Sequence, residues 1–148
     1  MNTQDIKTGS CIMLFIDGHS IAYATNHTFN LTGNTTDIST KDHGEFGAVI
    51  PANITWEVTS ENLYTHASYF ELFDAMIAKE EITIVFGEAA DYDPEGLGDS
   101  DESWTAPSTN ALTGKAYITS LAENAPNGET ATFSVTLTGS GPVTKLTV

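Results

Sequence analysis

Residues 130–138 (TATFSVTLT) alternate polar and apolar side chains over their whole length, and no other feature constrains the fold of this chain as strongly. Successive side chains of a β-strand point to opposite faces, so Phe133, Val135 and Leu137 are predicted to share one buried face of a sheet. Residues 28–32 and 54–59 alternate in the same way. The chain is therefore expected to contain several half-buried β-strands.

Other segments also have the character of strands. The apolar run 12–16 leads into Asp17-Gly18, a dipeptide suited to the positive φ angles of a hairpin turn, and residues 19–25 are predicted to return as the second strand. Residues 81–87 (EITIVFG) are predicted to form a buried strand. Asn127-Gly128 is predicted to turn the chain between strands 112–122 and 130–138. Residues 139–142 (GSGP) are then expected to end that strand before a short apolar tail, which gives roughly eight strands in all.

One helix is predicted, at about residues 67–79. Its aromatic and aliphatic side chains fall near the i, i+3, i+4, i+7 spacing and are interpreted as a single stripe that packs against the core: Tyr69, Phe70, Phe73, Met76 and Ile77. A chain of 148 residues is long enough for one domain with a substantial core, so residues 1–148 are predicted to form a single domain. The predicted fold is mainly β, an antiparallel β-sandwich or barrel with one flanking α-helix.

Two polar segments interrupt the strands. Residues 33–47 are rich in Gly, Thr and Asp and are predicted to form a long exposed loop or arm. Residues 88–110 are acidic and contain Gly, Pro and Ser, so they are predicted to form a mobile loop inserted between strands.

The charge of the chain excludes one broad class of function. Twenty acidic side chains stand against five lysines, arginine is absent, and the formal net charge is −15. Nucleic-acid binding ordinarily needs basic side chains that neutralise phosphates, so a binder of that kind is excluded. A strongly acidic surface repels polyanions and also keeps a protein soluble, and composition alone does not choose between these two roles.

Catalytic and membrane signals are missing from the sequence. No stretch approaches the roughly 20 apolar residues that cross a bilayer, and the N-terminus does not resemble a signal peptide, so we expect a cytoplasmic origin and no membrane contact. Cys11, the single cysteine, is interpreted as a small buried hydrophobe. The four histidines lack the spacing of a zinc site, and no nucleophile, phosphate-loop or dinucleotide motif occurs. The chain is therefore predicted to be no enzyme and to need no cofactor.

A possible calcium loop lies in the acidic segment 88–110. Oxygen-bearing side chains occupy positions 1, 3, 5, 9 and 12 of an EF-hand-like spacing, with a glycine at position 6: Asp91, Asp93, Glu95, Asp99 and Glu102, with Gly96. Three features depart from that motif, namely a Glu at position 5, a Gly at position 8 and a strand in place of the preceding helix. A solvated acidic loop is the alternative interpretation of the same residues.

The order of these features resembles the major tail proteins of long-tailed bacteriophages, the tail-tube subunits, which share a fold with the tube protein of type VI secretion. The resemblance covers most of the chain outside residues 88–110. It rests on the early hairpin 14–25, the polar arm with residues 40–44 (TKDHG), the strand around Trp56, the helix and the strand 82–86. The most specific part of the resemblance is the pattern near the end of the chain: residues 114–118 (GKAYI), 125–129 (APNGE) and 133–141 (FSVTLTGSG).

The resemblance implies a structural function. Family members form six-membered rings that stack into a hollow tube, in which sheets from neighbouring subunits join around a lumen that conducts DNA without sequence-specific binding. The arm would reach a neighbouring subunit through Asp37, Thr40, Lys41, Asp42, His43, Gly44 and Phe46. Further implied partners are other tail proteins, such as the tape measure and the tail terminator. The location would be the tail of the virion, assembled in the cytoplasm of the host bacterium. A calcium-binding β-sandwich recognition module, of the adhesin type, is the alternative function.

Overall fold

The structure is a computed structural model that describes residues 9–21, 23–90, 92 and 104–146. In that part of the chain, seven strands and one α-helix follow one another as β1 (Ile12–Ile16), β2 (His19–Ser20), β3 (Ala24–Asp37), β4 (Val49–Leu63), α1 (His66–Ala78), β5 (Ile82–Glu88), β6 (Ala111–Asn124) and β7 (Thr132–Leu146). The α1 helix has 13 residues, and no helix in the described ranges is long and apolar enough to cross a membrane.

All seven strands belong to one sheet in the order β2-β1-β5-β6-β7-β4-β3, and every pair in it is antiparallel. The predicted fold class, mainly β and antiparallel with one flanking helix, is confirmed. The strand count is seven where roughly eight were predicted, because the apolar tail after residue 142 continues β7 and is not a separate strand.

Both predicted hairpin turns form. Asp17 and Gly18 have φ angles of 51° and 87°, the left-handed conformation that a tight two-residue hairpin needs at both positions. Gly128 has a φ of 81° between β6 and β7. These turns make β1 and β2, and then β6 and β7, antiparallel neighbours.

The helix α1 closes one face of the sheet. Thr65 caps its first turn by accepting a hydrogen bond from Ser68 N at 3.3 Å, and Lys79 ends it in the left-handed conformation with a φ of 57°. Leu72 points into the core, together with the alternating apolar side chains of the central strands: Val58, Ile82, Ile84, Ala116, Ile118, Phe133, Val135 and Leu137. We call this covered side of the sheet the core face.

The prediction that five side chains of α1 pack against the core is wrong for three of them. Tyr69 and Met76 pack against the core, whereas the side chains of Phe70, Phe73 and Ile77 are 52%, 43% and 66% exposed. Successive helical residues are about 100° apart. Positions 69 and 76 therefore lie on the buried side, and positions 70, 73 and 77 lie on the adjacent flank. The sequence has more apolar residues than one face of this helix can bury.

The predicted break at residues 139–142 is also wrong. Strand β7 runs through them to Leu146, with an irregularity in its pairing to β6 between the pairs Thr113–Thr144 and Lys115–Ser140. Gly141, with a φ of 82°, supplies the positive angle that this irregularity needs. Glycine and proline here distort a strand and do not end it.

The acidic segment 88–110 is held at both of its ends. Ala89 N donates to Cys11 O at 3.1 Å, Ala90 N donates to Thr105 O at 3.0 Å, and Asn110 N donates to Leu146 O at 2.8 Å. Trp104 N also donates to the Ser20 hydroxyl at 3.1 Å. These hydrogen bonds join the ends of the segment to Cys11, to Ser20 of β2 and to Leu146 of β7, and the mobility of the segment stays a prediction.

Candidate assembly surfaces

The first surface is a two-stranded arm that leaves the body of the protein. Strand β4 pairs with β7 only from Glu57 to Leu63, but it pairs with β3 from Val49 onward. Residues 31–37 and 49–56 therefore form a ribbon by themselves, which we call the arm together with the connection 38–48. Eight residues of β4 at a rise of about 3.3 Å each give it a reach of roughly 26 Å. Of the predicted loop or arm 33–47, residues 33–37 belong to β3, and residues 38–47 lie in the connection that leads to β4 at Val49.

The end of the arm is folded, and hydrogen bonds hold its shape. Ile38 N donates to Ala48 O at 2.9 Å, and Ala48 N donates to the Ser39 hydroxyl at 2.8 Å. Ser39 N donates to Asp37 Oδ1 at 2.8 Å, and hydrogen bonds from Ser39 lower the pKa of the Asp37 carboxyl. Thr40 N donates to His43 Nδ1 at 2.9 Å across a short 3-10 turn of residues 41–43.

The seven arm residues predicted from the sequence lie together at this end. Asp37 is the last residue of β3, and the others follow it in or beside the 3-10 turn: Thr40, Lys41, Asp42, His43, Gly44 and Phe46. Gly44 ends the turn with a φ of 65°, and the Phe46 side chain is 83% exposed. The structure brings these residues together, and their contact with another subunit stays a prediction.

Sequence reasoning missed the apolar side of the arm. The side chains of Leu31 and Ile54 are 56% and 65% exposed. Leu31 pairs with Trp56 and Ile54 lies two residues before Trp56 on β4, so both side chains are on the side of the arm that continues the core face. A bulge between Gly33 and Thr35 then shifts the alternation, so that Val49, opposite Asp37, also falls on that side. The polar composition of residues 33–47 hid this row, because its members are spread over two strands and the bulge breaks the period of two.

The second surface is the side of the sheet away from α1, which we call the open face. On β3, β4, β7 and β6 it consists of small polar side chains with a few acids: Asn26, Thr28, Asn30, Glu57, Thr59, Glu61, Ser134, Thr136, Thr138 and Tyr117. Hydroxyl groups pair across the strands, with Thr119 Oγ1 and Thr138 Oγ1 2.9 Å apart. The open face over these four strands is therefore polar.

Lys115, the lysine of the open face among the described residues, is ion-paired with a carboxylate. Lys115 Nζ lies 3.4 Å from Glu81 Oε1, and the Tyr117 hydroxyl donates to Glu81 Oε2 at 3.3 Å. Glu57 and Glu61 project from the same face without an adjacent lysine on β3 or β7, where their register partners are Asn30, Thr138, Asn26 and Ser134. Charge on this face is therefore negative.

Free sheet edges are the third surface. In the described part of the chain, β3 pairs with β4 alone, so its outer edge runs open over the 14 residues Ala24–Asp37. At the other end of the sheet, among residues that the structure describes, β2 pairs with β1 only at Phe15 and Ile16, and His19 of β2 forms an isolated bridge to Thr105. Open edges of this length invite pairing with another chain. The two edges belong to different strands, so one could meet the other in a neighbouring copy.

The five candidate calcium ligands, Asp91, Asp93, Glu95, Asp99 and Glu102, lie outside the described residues. Among residues that the structure does describe, no group of three or more His, Cys, Asp or Glu side chains converges in the manner of a metal site.

Comparison with known proteins identifies the family of the chain. Residues 17–145 match the family described as phage tail tube protein. No curated protein sequence matches the chain. Nothing in these comparisons supports the calcium-binding alternative.

Several solved structures share the fold. The tail of an empty gene transfer agent particle, refined helically with C6 symmetry, is 10% identical and has a TM-score of 0.72, with 95% of this chain and 98% of that chain covered. The SPP1 tail tube is 12% identical with a TM-score of 0.68, and the alignment covers 97% of this chain and 80% of that chain. The sheath/tube terminator of the PVC extracellular contractile injection system is 14% identical with a TM-score of 0.57, over 97% and 98% of the two chains.

The family match spans most of the chain, including the arm, the helix and the open face. The chain belongs to the phage tail tube protein family and is a structural subunit of a tail tube.

Proposed function

We propose that copies of this chain join edge to edge into six-membered rings, and that the rings stack into a hollow tube. Two observations support this arrangement: in the described part of the chain the sheet ends in open edges on two different strands, and the structurally similar gene transfer agent tail has C6 symmetry. Pairing of β3 from one copy with β1 of the next is a heterologous contact, and such contacts close into a ring when the rotation fits. Closure removes the edges that would otherwise promote aggregation.

The open face lines the lumen of this tube. The core face is occupied by α1, so the open face over β3, β4, β7 and β6 is the part of the sheet that is available as a polar wall. This wall carries Glu57 and Glu61, and its Lys115 is ion-paired with Glu81. The absence of an unpaired cation among the described residues of this wall is the observation that carries the proposal, because free lysines would bind and retard DNA.

DNA then passes through the lumen without sequence-specific binding. Acidic side chains repel phosphates, and the threonine and serine hydroxyls between them keep the wall hydrated. The chain is a building block without catalysis, located in the virion tail and assembled in the host cytoplasm. Its partners are other copies of itself and further tail components, among them the tape measure and the tail terminator.

The arm makes contacts between copies, through its end at residues 37–46. That end is held in shape by its own hydrogen bonds, and it stands roughly 26 Å beyond the last contact with the body. A preformed projection loses little conformational entropy on docking, so it is well suited to bind a neighbouring subunit.

Labelling of a single cysteine tests whether the open face lines a lumen. In Glu57→Cys tubes, a small maleimide should react, whereas a maleimide on a polyethylene glycol too bulky to enter the tube should not. Both reagents should react with the unassembled protein; Cys11 is buried and gives little background. Reaction of assembled tubes with both reagents would put Glu57 outside the tube, and reaction with neither would put it in a subunit interface. Either result would contradict the proposal.

A further inference from the structure

The apolar flank of α1 is not covered in the isolated subunit. Phe70, Phe73 and Ile77 are separated by three and four residues, so they lie side by side along the helix, and each is at least 43% exposed. His66 extends the row by stacking on Phe70, with ring centroids 5.7 Å apart. We call these four residues the helix stripe. Exposed apolar surface of this kind commonly marks a contact site.

The remaining exposed apolar side chains are concentrated on the arm. Of the large hydrophobic residues that are exposed in the described structure, six lie on the arm or its connection: Leu31, Ile38, Phe46, Val49, Ile50 and Ile54. Thus the subunit has two separate apolar surfaces, one on the arm and one on the helix, and no part of the described chain covers either.

Charge permits contact between the helix stripe and the uncharged strands of the arm. The subunit carries a net charge of −15, so two copies repel each other wherever acids meet. Residues 46–56 and 26–36, which form most of the paired strands of the arm, contain no Asp, Glu, Lys or Arg. The end of the arm carries three acids, Asp37, Asp42 and Glu45, with one lysine, Lys41, and Asp74 borders the helix stripe. The uncharged strands can approach the helix without opposing charge, and Lys41 is the group at the end of the arm that attracts Asp74.

The symmetry of the proposed tube determines which surfaces of neighbouring subunits can meet. In the ring and tube proposed above, contacts between copies are heterologous, so a surface meets a different surface of its neighbour. If the helix stripe bound another helix stripe, the contact would close into a dimer and would not propagate. The partner of the stripe must therefore be a different apolar surface, and the arm is the one that the described chain provides.

From these observations we infer that the arm of one subunit docks its apolar side on the helix stripe of another subunit. This inference rests on the proposed tube, and it names the receiving site for the arm. Phe46 and Val49 supply the apolar contact from the arm, and Phe70, Phe73 and Ile77 receive it. The contact explains why an amphipathic helix keeps two rings and an isoleucine in solvent.

Disulfide trapping between two chains tests this contact. One protein carries Glu45→Cys beside Phe46, the other carries Asp74→Cys beside the helix stripe, and the two are mixed, assembled and oxidised. In the matched control, Glu57→Cys on the open face replaces Asp74→Cys. Every substitution replaces an exposed acid, so the change of charge is the same.

We expect a covalent dimer from the Glu45→Cys and Asp74→Cys pair, at least several-fold more than from the control pair, and only after assembly. Tubes that form normally without this dimer, or that give equal amounts with both pairs, would overturn the inference and leave the tube itself standing. Electron microscopy of the same samples reports on the tube separately. If the parent protein forms no tubes, the proposed function fails, and this contact fails with it.

Discussion

The indole ring of Trp56 lies against the backbone of Gly139, at the place where β4 and β7 separate. A Cβ atom at position 139 would lie 2.0 Å from Cε2 of that ring, and a Cβ at Gly114 would lie 2.7 Å from its Cζ2. Trp56 Nε1 donates to Gly141 O at 3.1 Å, and Phe29 stacks on the indole at 5.8 Å between ring centroids. Trp56 thus fills the space at the base of the arm, where β4 separates from β7, and Gly114 and Gly139 make room for its ring.

Replacement of Gly139 by alanine should destabilise the subunit. The added methyl group has no free space, so the indole or the strand must move, and overpacking of this kind costs about 1–3 kcal/mol. Urea unfolding of the monomer measures the change. Gly33→Ala is the matched control, because no atom lies within 4 Å of a Cβ at that position of the arm. Equal stability of Gly139→Ala and wild type would show that the ring is not confined as described.

The pH dependence of stability should contain a contribution from His27. His27 lies opposite Ser60 in the pairing of β3 with β4, and burial lowers the pKa of its imidazole below the ordinary value of 6.5. The folded state then binds fewer protons than the unfolded state, so the stabilisation is complete above the unfolded pKa and is lost as the pH falls below it.

Urea unfolding of wild type and His27→Gln at about pH 7.5 and about pH 5.5 tests this contribution. Acidification should reduce the free energy of unfolding less in the variant than in wild type. Carboxylates contribute equally to both proteins, so their effect cancels in the comparison. An identical loss in the two proteins would contradict the account of His27.

Substitutions of two neighbouring residues of α1, Leu72 and Phe73, should have different effects on folding and on assembly. Leu72 is 6% exposed and Phe73 is 43% exposed. Leu72→Ala should lower the free energy of unfolding by about 2–5 kcal/mol, because it leaves a cavity in the core. Phe73→Ser should change it by less than about 1 kcal/mol and yet abolish or strongly reduce tube formation. A Phe73→Ser protein that assembles as wild type does would remove the helix stripe from the interface.

Removal of residues 37–46 should leave the subunit folded, since the deleted segment makes backbone hydrogen bonds only within the arm. Circular dichroism and thermal melting should match wild type closely, because the core face is untouched. Tubes should be lost, because the docking end of the arm is gone. Normal tubes from this deletion would show that the arm is dispensable.

Much of the fold was predictable because strands and tight turns leave local signals. The alternation at Phe133, Val135 and Leu137 located β7, and Asp17-Gly18 located the first hairpin. The family resemblance was confirmed by the match over residues 17–145. These features depend on neighbours within a few residues, which a sequence displays directly.

The assembly surfaces were harder to predict because they depend on residues distant in sequence. Whether Phe73 faces the core or solvent depends on how α1 lies on β6, and the helix alone has apolar residues on two sides. The apolar side of the arm arises only when Leu31 on β3 is placed opposite Trp56 on β4, with a bulge beyond them. Likewise, Gly139 was interpreted as part of a strand break. In the structure it makes room for the indole ring of Trp56, which lies 83 positions earlier in the chain.

Electron microscopy of the concentrated, purified protein tests the central claim most directly. The account predicts hollow tubes or rings with six subunits around a central lumen, formed by this chain alone or when an assembly initiator from the same tail is added. A protein that stays monomeric under both conditions, or that assembles into solid fibres without a lumen, would contradict it.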